Sequence, residues 1–182
     1  FVSGKSFSGR HDRKFSVVRY GNVMGSRGSV IPFFLSIAKD GVLPITDNSM
    51  TRFMISLEEG VELVWHAFND MIGGEIYIKK IPSMKVTDIA LAVNDKAKQE
   101  EVGVRPGEKI HEQMIGPEDA HYTYEYPNYF KILPSINGWC DDPERVGTGV
   151  KVEPGFMYCS DSNKEWMGVS ELQEGIEENK GK

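Results

Sequence analysis

A glycine-containing loop at residues 20–29 lies between a predicted strand and a predicted helix. Its three glycines let the backbone approach a ligand closely. Asn22 offers both a hydrogen-bond donor and an acceptor, and the N-terminus of the following helix attracts phosphate. The glycine spacing is not G-x-G-x-x-G, so this is not a dinucleotide-binding fingerprint. On these residues alone, a ligand-binding loop and a plain connection are equally open.

Two further polar segments have side chains that could bind an anion. Residues 46–52 precede a long predicted helix, and the planar guanidinium of Arg52 suits phosphate. In residues 104–109, a Pro-Gly pair would hold Arg105 and Glu108 in definite directions. Arg105 is then a second candidate for phosphate, and Glu108 could accept a sugar hydroxyl. The alternatives are a solvated turn with a helix-start salt bridge and a surface turn with an ion pair.

The sequence contains no complete motif for metal binding or hydrolase chemistry. His111 and Glu112 resemble the start of H-E-x-x-H, but Ile115 stands where the second histidine would be. We therefore expect no metal site. There is no Gly-x-Ser-x-Gly element of a hydrolase. The two cysteines have no C-x-x-C spacing, so we expect free thiols in a reducing cytoplasm.

The elements that must position these segments alternate between strands and helices. Residues 15–20 and 75–79 read as strands, and residues 29–39 and 57–72 read as helices, the first capped by Ser29. Short helices are expected from Thr87 and from the Pro-Gly pair at 106–107. An aromatic cluster at 122–130 is expected to be core, and residues 171–182 are expected to fray. This order favours the α/β class.

Composition and charge exclude several classes of protein. The 182 residues are 40% hydrophobic and 26% charged, which is a normal globular mixture, and no apolar run reaches the length of a membrane span. The net charge of −6 argues against a general nucleic-acid binder. Residues 1–30 nevertheless carry six basic side chains and one acidic one, which would suit a basic pocket for a small anion. The initial Phe1 suggests an excerpt of a longer protein.

Seven stretches of the chain together resemble one family. They are residues 17–23 (VVRYGNV), 25–34 (GSRGSVIPFF), 43–46 (LPIT), 50–53 (MTRF), 73–76 (GGEI), 79–85 (KKIPSMK) and 105–109 (RPGEK). The series resembles the inverting UDP-N-acetylglucosamine 4,6-dehydratases of the extended short-chain dehydrogenase/reductase superfamily. That family acts in bacterial surface-polysaccharide and flagellin-sugar biosynthesis.

The resemblance implies the C-terminal part of a Rossmann-like NADP-binding fold plus the smaller substrate-binding domain. We expect residues 1–30 to be the tail end of the Rossmann-like domain and residues 31–170 the substrate-binding region with returning Rossmann elements. In the family, NADP takes hydride from sugar C4, water leaves across C5 and C6, and hydride returns to C6 with inversion at C5. The family's glycine-rich loop, its Tyr-x-x-x-Lys pair and its Asp-Lys pair would precede Phe1. We therefore expect no catalytic residue in this chain and no activity from it alone.

Binding residues carry over from the resemblance position by position. Asn22, Thr46 and Arg52 match contacts to the substrate and its diphosphate, and Arg105 and Glu108 match contacts to the nucleotide. Val23 matches a backbone contact to NADP. The implied partner is a UDP-sugar, without nucleic acid or membrane, in a cytoplasmic protein that is a homo-oligomer when complete. The alternative is a non-catalytic sugar-nucleotide-binding or assembly module.

Overall fold

A computed structural model describes residues 13–179, so Lys5 and Arg10 of the predicted basic end lie outside the described residues. The chain forms two compact units, and it crosses between them several times. The sheet unit contains residues 13–20, 58–80 and 113–158, and the pocket unit contains residues 21–57, 81–112 and 159–179. The boundary expected at residue 30, between the Rossmann-like tail and the substrate-binding region, stays a prediction.

Short strands and helices alternate along the described residues, which confirms the predicted α/β class. The strands are β1 (Val17–Arg19), β2 (Asn22–Val23), β3 (Val42–Ile45), β4 (Thr51–Ile55), β5 (Ile76–Lys79), β6 (Ser83–Lys85), β7 (Lys98–Glu101), β8 (Gln113–Ile115), β9 (Thr123–Glu125), β10 (Tyr129–Ile132), β11 (Val150–Lys151) and β12 (Tyr158–Cys159). The helices are α1 (Val30–Ile37), α2 (Leu57–Asp70), α3 (Val86–Val93), α4 (Pro143–Val146) and α5 (Val169–Asn179). 3₁₀ turns cover Ala38–Asp40, Ala120–Tyr122 and Trp139–Asp141.

The sheet unit is built on a five-stranded sheet in the order β1-β5-β10-β9-β11. β1 and β5 are parallel, with Val17 opposite Ile76, and the remaining neighbours are antiparallel. Helix α2 packs Leu63 and Ala67 against Tyr77 of β5. A parallel pair with a preceding helix on its face is typical of Rossmann-like folds.

The aromatic cluster predicted to be core lies in the sheet unit. Tyr124, Tyr126 and Phe130 are buried. The rings of Tyr126 and Tyr129 stack with their centroids 4.5 Å apart and their planes 6° apart. These residues lie in or beside the strands β9 and β10, which explains why they show no helical period.

The pocket unit combines the sheet β2-β4-β6 with the parallel pair β3–β7. Helices α1, α3 and α5 supply Phe34, Ile89 and Leu172 to one hydrophobic core beside Leu43 and Ile45 of β3. The core extends to the end of the described chain, where Leu172 and Ile176 of α5 are buried. Residues 171–179 of the segment expected to fray lie in α5, and whether the segment frays stays a prediction.

Three local predictions also need correction. Pro106 and Gly107 do not begin a helix: the Glu108 N–H donates to the Arg105 carbonyl at 3.0 Å, and Gly107 has φ +84°. That left-handed conformation closes a turn and prevents a helix. Ser29 precedes α1, but its side chain makes no capping hydrogen bond. Helix α3 begins at Val86, one residue before Thr87.

Candidate functional site

A cavity of about 410 Å³ lies in the pocket unit. Every residue predicted to contact the substrate or its nucleotide lines it: Asn22, Thr46, Arg52, Arg105 and Glu108. They come from four separate segments, namely β2, the loop after β3, strand β4 and the turn at 105–108. The volume is in the usual range for a small-molecule site. Folding of the pocket unit thus brings the three predicted loops around one space.

The rest of the wall is apolar on one side and polar at one helix end. Phe33, Phe34 and Met50 supply apolar surface. Residues 28–30 place the start of α1 at the cavity, where unpaired backbone N–H groups favour an anion. The Ser29 hydroxyl oxygen is buried without a hydrogen-bond partner. A ligand oxygen at this position would satisfy it.

Asn22 is held at the first residue of β2. Its side-chain Nδ2 donates to the Phe53 carbonyl at 3.3 Å and to Glu112 Oε1 at 3.1 Å. Both amide hydrogens are therefore used inside the pocket unit. Among the described residues, the side-chain carbonyl oxygen has no donor, so Asn22 can offer a ligand an acceptor.

Arg52 is largely committed to the protein backbone. Its Nη1 donates to the carbonyls of Thr51 at 2.7 Å and Ile110 at 3.0 Å, and its Nη2 donates to the Lys109 carbonyl at 2.9 Å. Three of its five N–H bonds are thus taken. Arg52 holds the loop that carries residues 109–110 beside β4, and a phosphate at this side chain would have to use the remaining N–H bonds.

Arg105 and Glu108 form the turn predicted to face the nucleotide. The Glu108 carboxylate accepts from the Arg105 backbone N–H at 3.2 Å, and the Thr46 hydroxyl donates to it at 3.5 Å. Within residues 13–179, the Arg105 guanidinium makes neither an ion pair nor a hydrogen bond. Its guanidinium therefore has all of its N–H groups available to a ligand at this cavity.

Val23 does not line the cavity. It pairs with Ile55 in the parallel β2–β4 ladder, and its carbonyl accepts from the Ser26 N–H at 3.1 Å. The backbone contact to NADP expected at this residue stays a prediction.

Glu112 contacts two side chains of the cavity wall, Asn22 and Arg52, and the sequence did not predict these contacts. Its Oε2 accepts from the Phe53 N–H at 2.9 Å, its Oε1 accepts from Asn22, and the same oxygen lies 3.8 Å from Arg52 Nε. The sequence marked Glu112 only as part of an incomplete zinc motif. A single carboxylate after a turn has no spacing that predicts such contacts. No group of metal-ligating side chains occurs within the described part of the chain.

A second cavity of about 370 Å³ lies in the sheet unit, beside His66, Lys79 and Tyr129. Its cation is already neutralised, because Lys79 Nζ lies 3.2 Å from Glu59 and 3.7 Å from Glu62. The cavity in the pocket unit is thus the better candidate for an anionic ligand. No helix within residues 13–179 has the length and apolar composition needed to cross a membrane.

Comparisons with known proteins find relatives and a solved structure that match most of this chain. An inverting UDP-N-acetylglucosamine 4,6-dehydratase of Campylobacter jejuni is 48% identical over 188 residues, covering 100% of this chain and 56% of the relative. A UDP-glucose 4-epimerase of Rickettsia canadensis is 42% identical over 121 residues, covering 64% of this chain and 36% of the relative. The solved structure of Pen from Bacillus thuringiensis superimposes with a TM-score of 0.80 at 33% identity, covering 98% of this chain and 54% of that one.

The chain spans about half the length of the Campylobacter relative. Its residues 1–134 match the family model of polysaccharide biosynthesis proteins, which covers both the β2 loop and the turn at 105–108. This match extends over most of the sequence and includes every residue predicted to bind substrate. The chain therefore belongs to the polysaccharide biosynthesis protein family.

Proposed function

We propose that the pocket unit binds UDP-N-acetylglucosamine, as the substrate-binding part of an inverting 4,6-dehydratase. The relatives named for that activity cover the whole chain at almost half identity. The observation that carries the proposal is the pairing, at one cavity, of the Arg105 guanidinium with the start of α1. A UDP-sugar carries about two negative charges on its diphosphate, and charge-assisted hydrogen bonds to arginine are the strong ones.

The contacts of several lining side chains permit distinct roles. Arg105 and the α1 N-terminus, with the Ser29 hydroxyl, bind phosphate oxygens. Glu108 accepts a hydrogen bond from a hydroxyl of the nucleotide, and Asn22 offers its side-chain carbonyl oxygen to a hydrogen-bond donor on the ligand. Phe33 and Phe34 give the nucleotide an apolar surface. Arg52 acts mainly on the loop that carries residues 109–110.

The same proposal includes the chemistry of the complete enzyme. The complete enzyme, a homo-oligomer in the cytoplasm, oxidises C4 of the sugar, eliminates water across C5 and C6, reduces C6 and inverts C5. NADP, when bound, supplies the hydride acceptor and donor. We propose that Val23 is the residue of this chain that contacts NADP. Because its backbone carbonyl already accepts a hydrogen bond from the Ser26 N–H, no step of the reaction is assigned to Val23. This chain's residues bind the sugar nucleotide and orient it.

The test is calorimetric titration of the chain with UDP-N-acetylglucosamine. We expect Arg105→Ala to weaken binding about 10- to 150-fold, because a hydrogen bond to a charged group is lost. The matched control is Arg13→Ala, at an exposed arginine of the sheet unit, which should leave affinity unchanged. Equal affinity of wild type and Arg105→Ala would refute the proposed site.

A second candidate function is a sugar-nucleotide-binding module without catalysis. The observation that favours it is that no tyrosine in the 182 residues is followed four positions later by lysine. Both candidates predict binding but no turnover when the chain is incubated with UDP-N-acetylglucosamine and NADP. Formation of a 4-keto sugar by this polypeptide alone would contradict both.

A further inference from the structure

Glu112 is fixed in place more firmly than a surface carboxylate. Its backbone N–H donates to the Ser160 hydroxyl at 2.9 Å, and its carbonyl accepts from the Ser160 N–H at 2.8 Å. Its side chain meets the Phe53 N–H with one oxygen and Asn22 Nδ2 with the other. Its side chain is 28% exposed, so the carboxylate is partly shielded from water. Both carboxylate oxygens are therefore assigned to donors of the pocket unit.

The chemistry of a carboxylate makes this contact directional. An ionised carboxylate only accepts hydrogen bonds, whereas an asparagine amide has a donor end and an acceptor end. With Glu112 Oε1 3.1 Å from one end of the amide, that end must be the NH₂ group. The Phe53 carbonyl, also an acceptor, lies 3.3 Å from the same nitrogen and imposes the same choice. The Asn22 carbonyl oxygen is then left for the cavity that Asn22 lines.

We infer that Glu112 is a positioning residue that locks the Asn22 amide so that its carbonyl oxygen accepts from a hydroxyl or N–H of the bound sugar nucleotide. This rests on the proposed function for the identity of the ligand, but not for the contact itself. A glutamine at position 112 would break the lock. One of the two carboxylate oxygens would be replaced by an NH₂ group. This donor would face another donor, either the Phe53 N–H or the Asn22 NH₂ group. Turning the Asn22 amide would relieve the second clash, but it would set the amide oxygen against the Phe53 carbonyl and present NH₂ to the ligand.

A double-mutant cycle separates this role from a merely structural one. UDP-N-acetylglucosamine affinity is measured for wild type, Glu112→Gln, Asn22→Ala and the double variant. We expect each single variant to lose about 2- to 12-fold, the value of one neutral hydrogen bond. The double variant should bind no more weakly than Asn22→Ala, because Glu112 acts through Asn22. Glu100→Gln, at an exposed glutamate of β7, is the matched control and should bind normally.

Losses that multiply in the double variant, or an unchanged affinity for Glu112→Gln, would overturn the inference. If Glu112→Gln does not fold, Asn22→Asp decides instead, by NMR titration of the introduced carboxyl group without ligand. Two carboxylates at this distance raise the pKa of the pair, so the introduced group should titrate above the usual range of aspartate. Titration in the usual range would show that Glu112 does not face position 22. Failure of wild type to bind UDP-N-acetylglucosamine would reject the proposed function and leave this titration valid.

Discussion

Replacing Arg145 by methionine should strongly destabilise the protein, because Arg145 compensates a buried carboxylate in the sheet unit. Arg145 Nη1 lies 2.6 Å from Glu75 Oε1 and donates to the Gly73 carbonyl at 2.7 Å. The side chains are 6% and 1% exposed. The guanidinium stacks 4.1 Å from the Trp139 ring centre, and its Nε lies 3.4 Å from Asp142 Oδ2, without the alignment of a hydrogen bond.

The magnitude follows from what remains after the substitution. Glu75 would keep the N–H groups of Ile72 and Gly73, at 3.1 and 2.9 Å from Oε1, but within residues 13–179 no cation would remain at hydrogen-bond distance. Removing one partner of a buried ion pair costs about 3–5 kcal/mol. Adding Glu75→Gln removes the uncompensated charge and keeps an acceptor for these N–H groups. The double variant should therefore recover about 1–3 kcal/mol.

The assay is urea unfolding followed by tryptophan fluorescence, with Trp139 beside the substituted residue. Lys151→Met is the matched control, because its ion pair with Asp141 is exposed and should be worth about 1 kcal/mol or less. A loss below about 1 kcal/mol for Arg145→Met would refute the reasoning on the buried pair. A further loss on adding Glu75→Gln would refute the reasoning on the uncompensated charge.

Three other predictions concern single contacts. Gly21→Ala should lower the free energy of unfolding by about 1–3 kcal/mol, because its Cβ would lie 2.5 Å from the Phe53 carbonyl oxygen; unchanged urea midpoints would count against this packing. Arg52→Ala should lower stability and weaken UDP-N-acetylglucosamine binding, because three backbone carbonyls lose a hydrogen-bond donor. A loss of affinity with unchanged stability would instead indicate that Arg52 acts only on phosphate. Burial opposes ionisation of Asp70, but the hydrogen bond from Lys131 helps to outweigh it and lowers the pKa of Asp70 below its ordinary value of 3.8. The stabilisation that the lowered pKa of Asp70 gives to the folded protein is complete above pH 3.8 and is lost as the pH falls through the lowered pKa. The difference in unfolding free energy between wild type and Asp70→Asn should therefore shrink in acid. A difference that stays constant with pH would contradict the shift.

Local patterns predicted the strands and turns that are marked by a single clear sequence signal. The β-branched run at 15–20 forms β1, the alternating run at 75–79 forms β5, and Gly41 ends the turn after α1 with φ +71°. The sequence also predicts helix α2 from apolar residues that recur at helical spacing. Several of these residues, including Val61, Val64 and Phe68, are exposed in the structure. The buried face of α2 is instead the one that carries Leu63 and Ala67. When a helix is apolar on two sides, periodicity alone does not decide which side meets the sheet.

The sequence by itself determined the α/β class and the identity of the candidate binding residues, because residue types and motif order are local properties. Only tertiary structure decided what those side chains are left to do. Folding places three backbone carbonyls around Arg52 and, among the described residues, none at hydrogen-bond distance from the Arg105 guanidinium, so two arginines of the same charge have different hydrogen-bonding capacity left. It also brings Glu112 to Asn22, 90 residues away in the chain. Such contacts depend on the packing of distant segments, which no spacing of neighbouring residues records.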